Sequence, residues 1–309
     1  MAAVPGVIGG RVAGVVSVPR DVQPAGGFIV TLDCLETVTT GSGKDRSTTD
    51  RTVWQDSHAM KAEAMRTDPM FQALPVLFAP PYDLPSANPE AGNGKITWRL
   101  EVKADIPGVD YLAHFDLPVF KTADSSPEFK LDAAAMAKYE LKQDPAEILQ
   151  SAGLVISQTT SGVSIVFPMC MRPLQALSIT VFFLLWTGVV ILLANVDIPL
   201  IFPLVFGIFD LLLFYGVLDG WFGSARVEVG RGSVTLQSGL FGSGAVRNLA
   251  VSDIDRIQRA VGPQQGTAIT HIVHVHTKDG KKHDAGRPLA SPMQAEALAA
   301  VIRQALQQA

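Results

Sequence analysis

Two cysteines, Cys34 and Cys170, are all the chain contains, which excludes a disulfide framework. Cys34 lies in the apolar run FIVTLDCL and reads as a core residue, and Cys170, just ahead of a long apolar run, as a spectator. Charge is also scarce: Asp, Glu, Lys and Arg make up 17% of the 309 residues and do not cluster, which argues against a nucleic-acid surface. Catalytic signatures are missing. There is no Gly-x-Ser-x-Gly, no His-Glu-x-x-His and no Cys-x-x-Cys. The GSGK stretch at 41–44 is not a phosphate-binding loop, because Val38 stands where its first glycine belongs and Asp45 where Ser or Thr is needed. Asp105 and Asp110 flank a Pro-Gly turn and read as solvated turn residues. The N-terminus MAAVPGVIGGRVAGVV has no basic region ahead of its weak apolar stretch, which Arg11 interrupts, so it reads as a first strand and not as a signal peptide.

Apolar sequence is what the chain does have. The run 174–196 holds 23 residues without a charge, and the run 199–218 holds 20 with one, Asp210. About 20 helical residues cross a hydrocarbon core. Only Asp197 and Ile198 separate the runs, so the expectation is a transmembrane helical hairpin with soluble parts before and after it. Residues 1–171 carry 14 basic and 20 acidic side chains, and residues 221–309 carry 10 and 6, a basic balance that suits an anionic cytoplasmic leaflet. Arg172 precedes the first run and Arg226 and Arg231 follow the second, whereas the connection has no Lys or Arg. By the positive-inside rule both termini are expected in the cytoplasm of a bacterial cell, the chain being a multi-pass inner-membrane protein with Trp221 and Phe222 at the cytoplasmic interface.

Residues 7–17, 27–38, 46–56, 74–79, 96–106 and 111–120 are rich in Val, Ile, Leu, Phe and Thr and are broken by Gly, Pro, Asn and Asp. Many short strands in so short a stretch predict an antiparallel β-sandwich. Asp144-Pro145-Ala146-Glu147 is a capping box that opens a short helix, Gly153 ends it, and 154–168 reads as a β-hairpin closing an N-terminal domain of residues 1–171. After the helical hairpin, 172–221, strands at about 225–230, 233–238, 245–251, 253–260, 268–277 and 281–286 precede a helix from Ser291-Pro292-Met293-Gln294 to about 307. Leu298, Val301, Ile302, Ala305 and Leu306 form its apolar face.

The segments GGRVAGVVSVP, GGFIVTLDCLETVTTGSGK, TVWQ, LPVLFAPPYDLPSA and above all ITWRLEVKADIPGVDYLAHFDLPVF resemble, over roughly residues 7–120, the arrestin/Vps26-type β-sandwich. The resemblance is to the version found in bacterial inner-membrane proteins of a domain-of-unknown-function family, and it implies protein binding through a sandwich face or edge. It brings no catalytic residue, and as fold analogy it says nothing of chemistry. Residues 222–309, with ARVEVGRGSVTLQSGLFG directly behind a hairpin, resemble a pleckstrin-homology-like (PH-like) domain, a β-barrel capped by one helix.

Two sets of residues stand out. A mid-bilayer carboxylate costs about 3 kcal/mol, so Asp210 needs a partner. Folding the runs about 197/198 sets Gly188 against Gly207, a small-on-small contact, and brings Asp210 near Trp186 and Thr187. The readings are a hydrogen bond to Thr187 or Trp186 as packing glue, a partner protein, or an ion path. His274, His276 and His283 are the second set. A two-residue turn at Asp279-Gly280 sets His276 opposite His283 and puts three imidazoles on one face, a zinc-like arrangement; a three-residue turn sets His283 opposite Val275 and dissolves it. His271 lies on the same strand, and the plain alternative is solvent-facing strand residues.

The fold class expected is therefore membrane-anchored and mainly β: a sandwich, a two-helix transmembrane hairpin and a PH-like barrel. The function expected is a non-enzymatic scaffold or accessory subunit needing no cofactor, with membrane lipid and a protein partner or a second copy as its partners and no nucleic acid. The alternative is a subunit of an oligomeric channel or transporter using Asp210, and an enzyme comes third.

Overall fold

The computed structural model describes residues 5–24, 26–41, 46–65, 68–88, 94–106, 108, 110–132, 139–141, 143–159, 162–195, 199, 201–230, 232–264 and 269–308. Asp197 and Ile198, most of the GSGK stretch and Arg231 lie outside them. The chain is mainly β and divides into two units. The first comprises Met1–Asp144, Ala260–His271 and Ala290–Met293; the second comprises Pro145–Arg259, Ile272–Leu289 and Gln294–Ala309.

In the first unit the strands are β1 (Gly6–Val7), β2 (Val12–Pro19), β3 (Phe28–Thr40), β4 (Ser47–Met60), β5 (Glu63–Ala64), β6 (Phe71–Phe78), β7 (Lys95–Ala104), β8 (Tyr111–Leu117) and β9 (Val119–Phe120). They form one sheet in the order β2-β6-β5 and another in the order β4-β3-β7-β8, with β1 and β9 as a short parallel pair. Strict alternation makes β7 the clearest strand: Ile96, Trp98, Leu100, Val102 and Ala104 point inward, and their neighbours do not. They pack with Val12, Val16 and Val18 of β2, Leu74, Val76 and Phe78 of β6 and Val30, Leu32 and Cys34 of β3 into one core, so the two sheets form a β-sandwich. Trp98 is fully buried, and its Nε1 donates to the Pro85 carbonyl at 3.2 Å, which removes the cost of hiding a polar group.

The second unit opens with α1 (Pro145–Ser151), β10 (Val155–Thr159) and β11 (Gly162–Phe167). Two helices follow, α2 (Pro173–Ala194) and α3 (Ile201–Phe222), both long and apolar enough to cross a membrane. Next come β12 (Gly223–Gly230), β13 (Ser233–Leu240), β14 (Val246–Ala250), β15 (Ile254–Val261), β16 (His271–Thr277), β17 (Lys282–Asp284) and α4 (Pro292–Gln308). The strands make a five-stranded sheet, β10-β11-β12-β13-β14, and a three-stranded one, β15-β16-β17. Leu298, Ile302 and Ala305 of α4 pack with Ile165, Val227, Val234, Val273 and Val275 of both sheets into a single core.

Two expectations change here. The sheets do not close into the barrel expected of a PH-like domain: β14 and β15 follow one another but sit in different sheets, parted by a 3-10 turn at Val251–Asp253. And the 154–168 hairpin, expected to close the N-terminal domain, supplies β10 and β11 to the second sheet system, where Gly162 to Phe167 pair antiparallel with Gly230 to Ala225 of β12. The helix pair is thus the connection between two adjacent antiparallel strands. It leaves and re-enters the sheet at the same end, and α3 runs into β12 with no residue between Phe222 and Gly223.

Candidate interaction surfaces and the Asp210 seam

Three polar side chains of the helix pair, Thr180, Thr187 and Asp210, are bonded along its seam. Thr187 Oγ1 donates to Asp210 Oδ1 at 2.7 Å, so the carboxylate is held within the α2–α3 seam. Trp186 packs edge-on against Phe206 and Phe209, with ring centroids 5.5 and 5.2 Å away, but its buried Nε1 has no hydrogen-bond partner among the described residues. Toward the far end of α3, Trp221 Nε1 donates to Thr180 Oγ1 at 2.9 Å, and that hydroxyl donates to the Ala176 carbonyl at 2.7 Å.

The glycine contact lies elsewhere than expected. A Cβ added at Gly188 or Gly207 meets nothing within 4 Å, and Gly188 is exposed. The close approach is made by Gly216, where a Cβ would come within 3.1 Å of Ile179, and by Gly220, where it would come within 3.4 Å of the Ala176 Cβ. Ala176 is the buried residue of α2. The sequence signal for this seam is the Gly-x-x-x-Gly spacing of Gly216 and Gly220, which puts both on one helix face one turn apart. Asp210→Asn keeps an acceptor for Thr187, so it should change the stability of the helix pair by less than about 1 kcal/mol in a detergent-titration unfolding experiment.

The histidines separate. The Thr277 N–H donates to the Lys281 carbonyl at 3.0 Å, which leaves a three-residue turn, Lys278, Asp279 and Gly280, with Gly280 at φ +81°. His283 therefore pairs with Val275, and Lys282 takes the place opposite His276. His274 Nδ1 lies 2.8 Å from Asp284 Oδ1, and His283 Nδ1 lies 3.4 Å from Arg247. Burial, then the nearby Arg256 and Lys282 charges, hold His276 below the usual imidazole range. In the first unit, His271 Nε2 sits 2.8 Å from Gln55 Oε1. The three-imidazole face is thus not formed, and no group of three metal-ligating side chains is assembled among the described residues.

The first unit holds two features of another kind. Asp33, 8% exposed, has its carboxyl pushed up to about 6 by burial, against the opposing hydrogen bond from Gln55, and its Oδ1 has no partner among the described residues. On the open side of the sandwich, the edge strands β2 and β8 border an apolar cleft of about 320 Å³. Val12, Gly14 and Val16 of β2, Val76 of β6, Leu100 of β7 and Phe115 and Leu117 of β8 line it. Register places Phe115 opposite Leu100 on the core face of its sheet, yet Phe115 is 40% exposed. Each of these two strands has one side without a ladder partner among the described residues.

No family model matches the chain, and no curated protein matches it. Among solved structures, the chain is similar to the crystal structure of Spo0M, a sporulation control protein from Bacillus subtilis, at 11% identity, over 98% of this chain and 93% of that chain, with a TM-score of 0.24.

Proposed function

We propose that this chain is a membrane-anchored, non-enzymatic protein-binding subunit. In this reading α2 and α3 cross a bacterial inner membrane, both soluble parts lie on the cytoplasmic side, and the sandwich receives an extended segment of a partner between β2 and β8. The observation that carries it is the cleft. Two strand edges without a ladder partner among the described residues flank an apolar opening, so a guest strand gains backbone hydrogen bonds from an edge and side-chain burial from the cleft at once. The arrestin-type resemblance of residues 7–120 supports the same role. The anchoring part is supported by the exposed apolar surfaces of α2 and α3 and by Arg172 and Arg226 at their sheet-side ends, with Asn195 at the other.

The test compares wild type with Phe115→Glu, both purified from native membranes in mild detergent. A partner of defined mass, or a second copy, should accompany the wild type in fixed stoichiometry and bind the variant at least about tenfold more weakly, since a charge would be buried in the cleft. Equal recovery by a folded variant would discard the cleft as the binding site. A monomeric wild type would discard the subunit reading.

A further inference from the structure

We infer that the turn between β13 and β14, Leu240 to Gly244, is a second membrane contact: a β-turn that inserts Phe241 into the lipid interface beside the root of the helix pair. This rests on the reading of α2 and α3 as membrane-spanning.

Topology brings the turn there. Because β12 follows α3 without a break and Gly223 pairs with Leu240, the end of β13 lies beside the last turn of α3. The Phe241 N–H donates to the Phe222 carbonyl at 2.9 Å, and the two rings stack with centroids 4.7 Å apart. Whatever depth Phe222 has in the bilayer, the Phe241 ring shares it to within the 4.7 Å between the two centroids. The opposite end of β13, at Ser233, is seven residues away, about 23 Å along the strand.

The chemistry of the turn fits an interface better than water. Phe241 has φ +53°, a left-handed conformation that costs a non-glycine residue about 1 kcal/mol, and yet its side chain is 60% exposed. Folding alone does not explain an aromatic ring that is both strained and in solvent. Glycine or asparagine would make the same turn more cheaply. Val246, the first residue of β14, and Phe222 are exposed apolar side chains as well. Several polar groups of the turn have partners close at hand: Gln237 Nε2 donates to the Gly242 carbonyl at 2.5 Å, and both the backbone N–H and the hydroxyl of Ser243 donate to the Leu240 carbonyl at 2.9 and 2.7 Å. A turn that enters lipid needs such closure, because nothing there replaces lost water. Trp221, adjacent in sequence, is a residue type favoured at that depth. The occupant is thus the bilayer itself, continuous with the apolar surface of the helices. Two supports, helix pair and turn, would fix the tilt of the five-stranded sheet over the membrane, where a single stalk would let it rock.

The experiment places nitroxide spin labels in the full chain, with Cys170→Ser as background, in vesicles of phosphatidylethanolamine and phosphatidylglycerol. Cys34 stays silent, being fully buried with its thiol pushed up to about 12 by burial and then by Glu36 and Asp33. Labels go at Leu185→Cys on the exposed face of α2, at Ser243→Cys in the turn and at Ser233→Cys, and each is read by its collisions with oxygen and with a water-soluble nickel complex. The expected result is a deep signal at 185, a shallow lipid signal at 243 and an aqueous one at 233, with Phe241→Asp turning 243 aqueous. If 185 is deep but 243 is as aqueous as 233, the inference fails and the membrane reading stands. An aqueous signal at 185 overturns the membrane reading and this inference with it. A signal at 243 that stays in lipid after Phe241→Asp shows that Phe241 is not the anchor.

Discussion

Gly223→Ala should destabilise the second unit by about 4 kcal/mol. Gly223 is the first residue of β12 and the hinge through which α3 becomes a strand. A Cβ there would collide with the Asp219 carbonyl oxygen, the Asp219 carboxylate and the Arg287 guanidinium. One of these neighbours is backbone of the last helical turn and cannot move without unwinding it. The other two are the bidentate pair that fastens the helix end to the loop before α4: Arg287 Nη1 and Nη2 donate to Asp219 Oδ1 and Oδ2 at 3.0 and 2.6 Å. Overpacking against fixed atoms costs up to about 3 kcal/mol. The ion pair, whose side chains are 25% and 38% exposed, adds about 1 kcal/mol when it is severed. Arg287→Ala isolates the second contribution, so unfolding of the purified chain in detergent should rank Gly223→Ala well below Arg287→Ala. Equal stabilities of the two variants would show that the junction yields easily and that helix pair and sheet are not rigidly joined.

That junction also shows where sequence information stops. Local pattern located nearly every described strand and the four described helices: alternate burial in β7, the apolar face of Leu298, Ile302 and Ala305 on α4, a capping box at α1 and uninterrupted apolar length in α2 and α3. Pairing is not local. Whether β14 and β15 share a sheet depends on a 3-10 turn at Val251–Asp253 that no hydrophobic pattern announces, so the barrel expectation failed there. The histidine site hung on one residue of loop length, and Gly280 in the left-handed region decided it. The register of the helix pair was legible from the short connection, and it does bring Thr187 to Asp210. The rotation of each helix was not, and it moves the close contact from Gly188 and Gly207 to Gly216 and Gly220. The cleft was least legible of all, since Phe115 is an ordinary inward strand residue until β8 turns out to be an edge.

The second large effect is a pH dependence of the first unit, set by His58. Burial alone would lower its pKa, but Nε2 lies 3.3 Å from Asp56 Oδ2 and Nδ1 lies 3.4 Å from Glu140 Oε1, and together the two carboxylates raise it to about 9. Glu140 is brought there by pairing: residues 139–141 run along the end of β4, where Glu140 bridges Met60 and the Leu141 N–H donates to the Ala59 carbonyl at 2.8 Å. The folded state thus holds a proton that the unfolded chain releases near pH 6.5. The stabilisation is complete below pH 6.5, declines as pH rises, and is gone above about 9. A move from 6.5 to about 9 is worth about 2 to 3 kcal/mol, the lower figure allowing for a Glu140 side chain that is 40% exposed. Denaturant unfolding followed by Trp54 and Trp98, with Trp186 and Trp221 replaced by Phe, should show that loss between pH 6.5 and 9, and His58→Gln should flatten the curve in this window. Asp33 also makes the unit less stable as pH rises, because its carboxyl must ionise while buried, but it acts between about pH 4 and 6, where His58 is charged in both states. Asp33→Asn should therefore leave the alkaline loss intact. A wild-type curve that is level from pH 6.5 to 9 would mean that His58 is neutral in the fold and that the 139–141 segment is held by its backbone pairing alone.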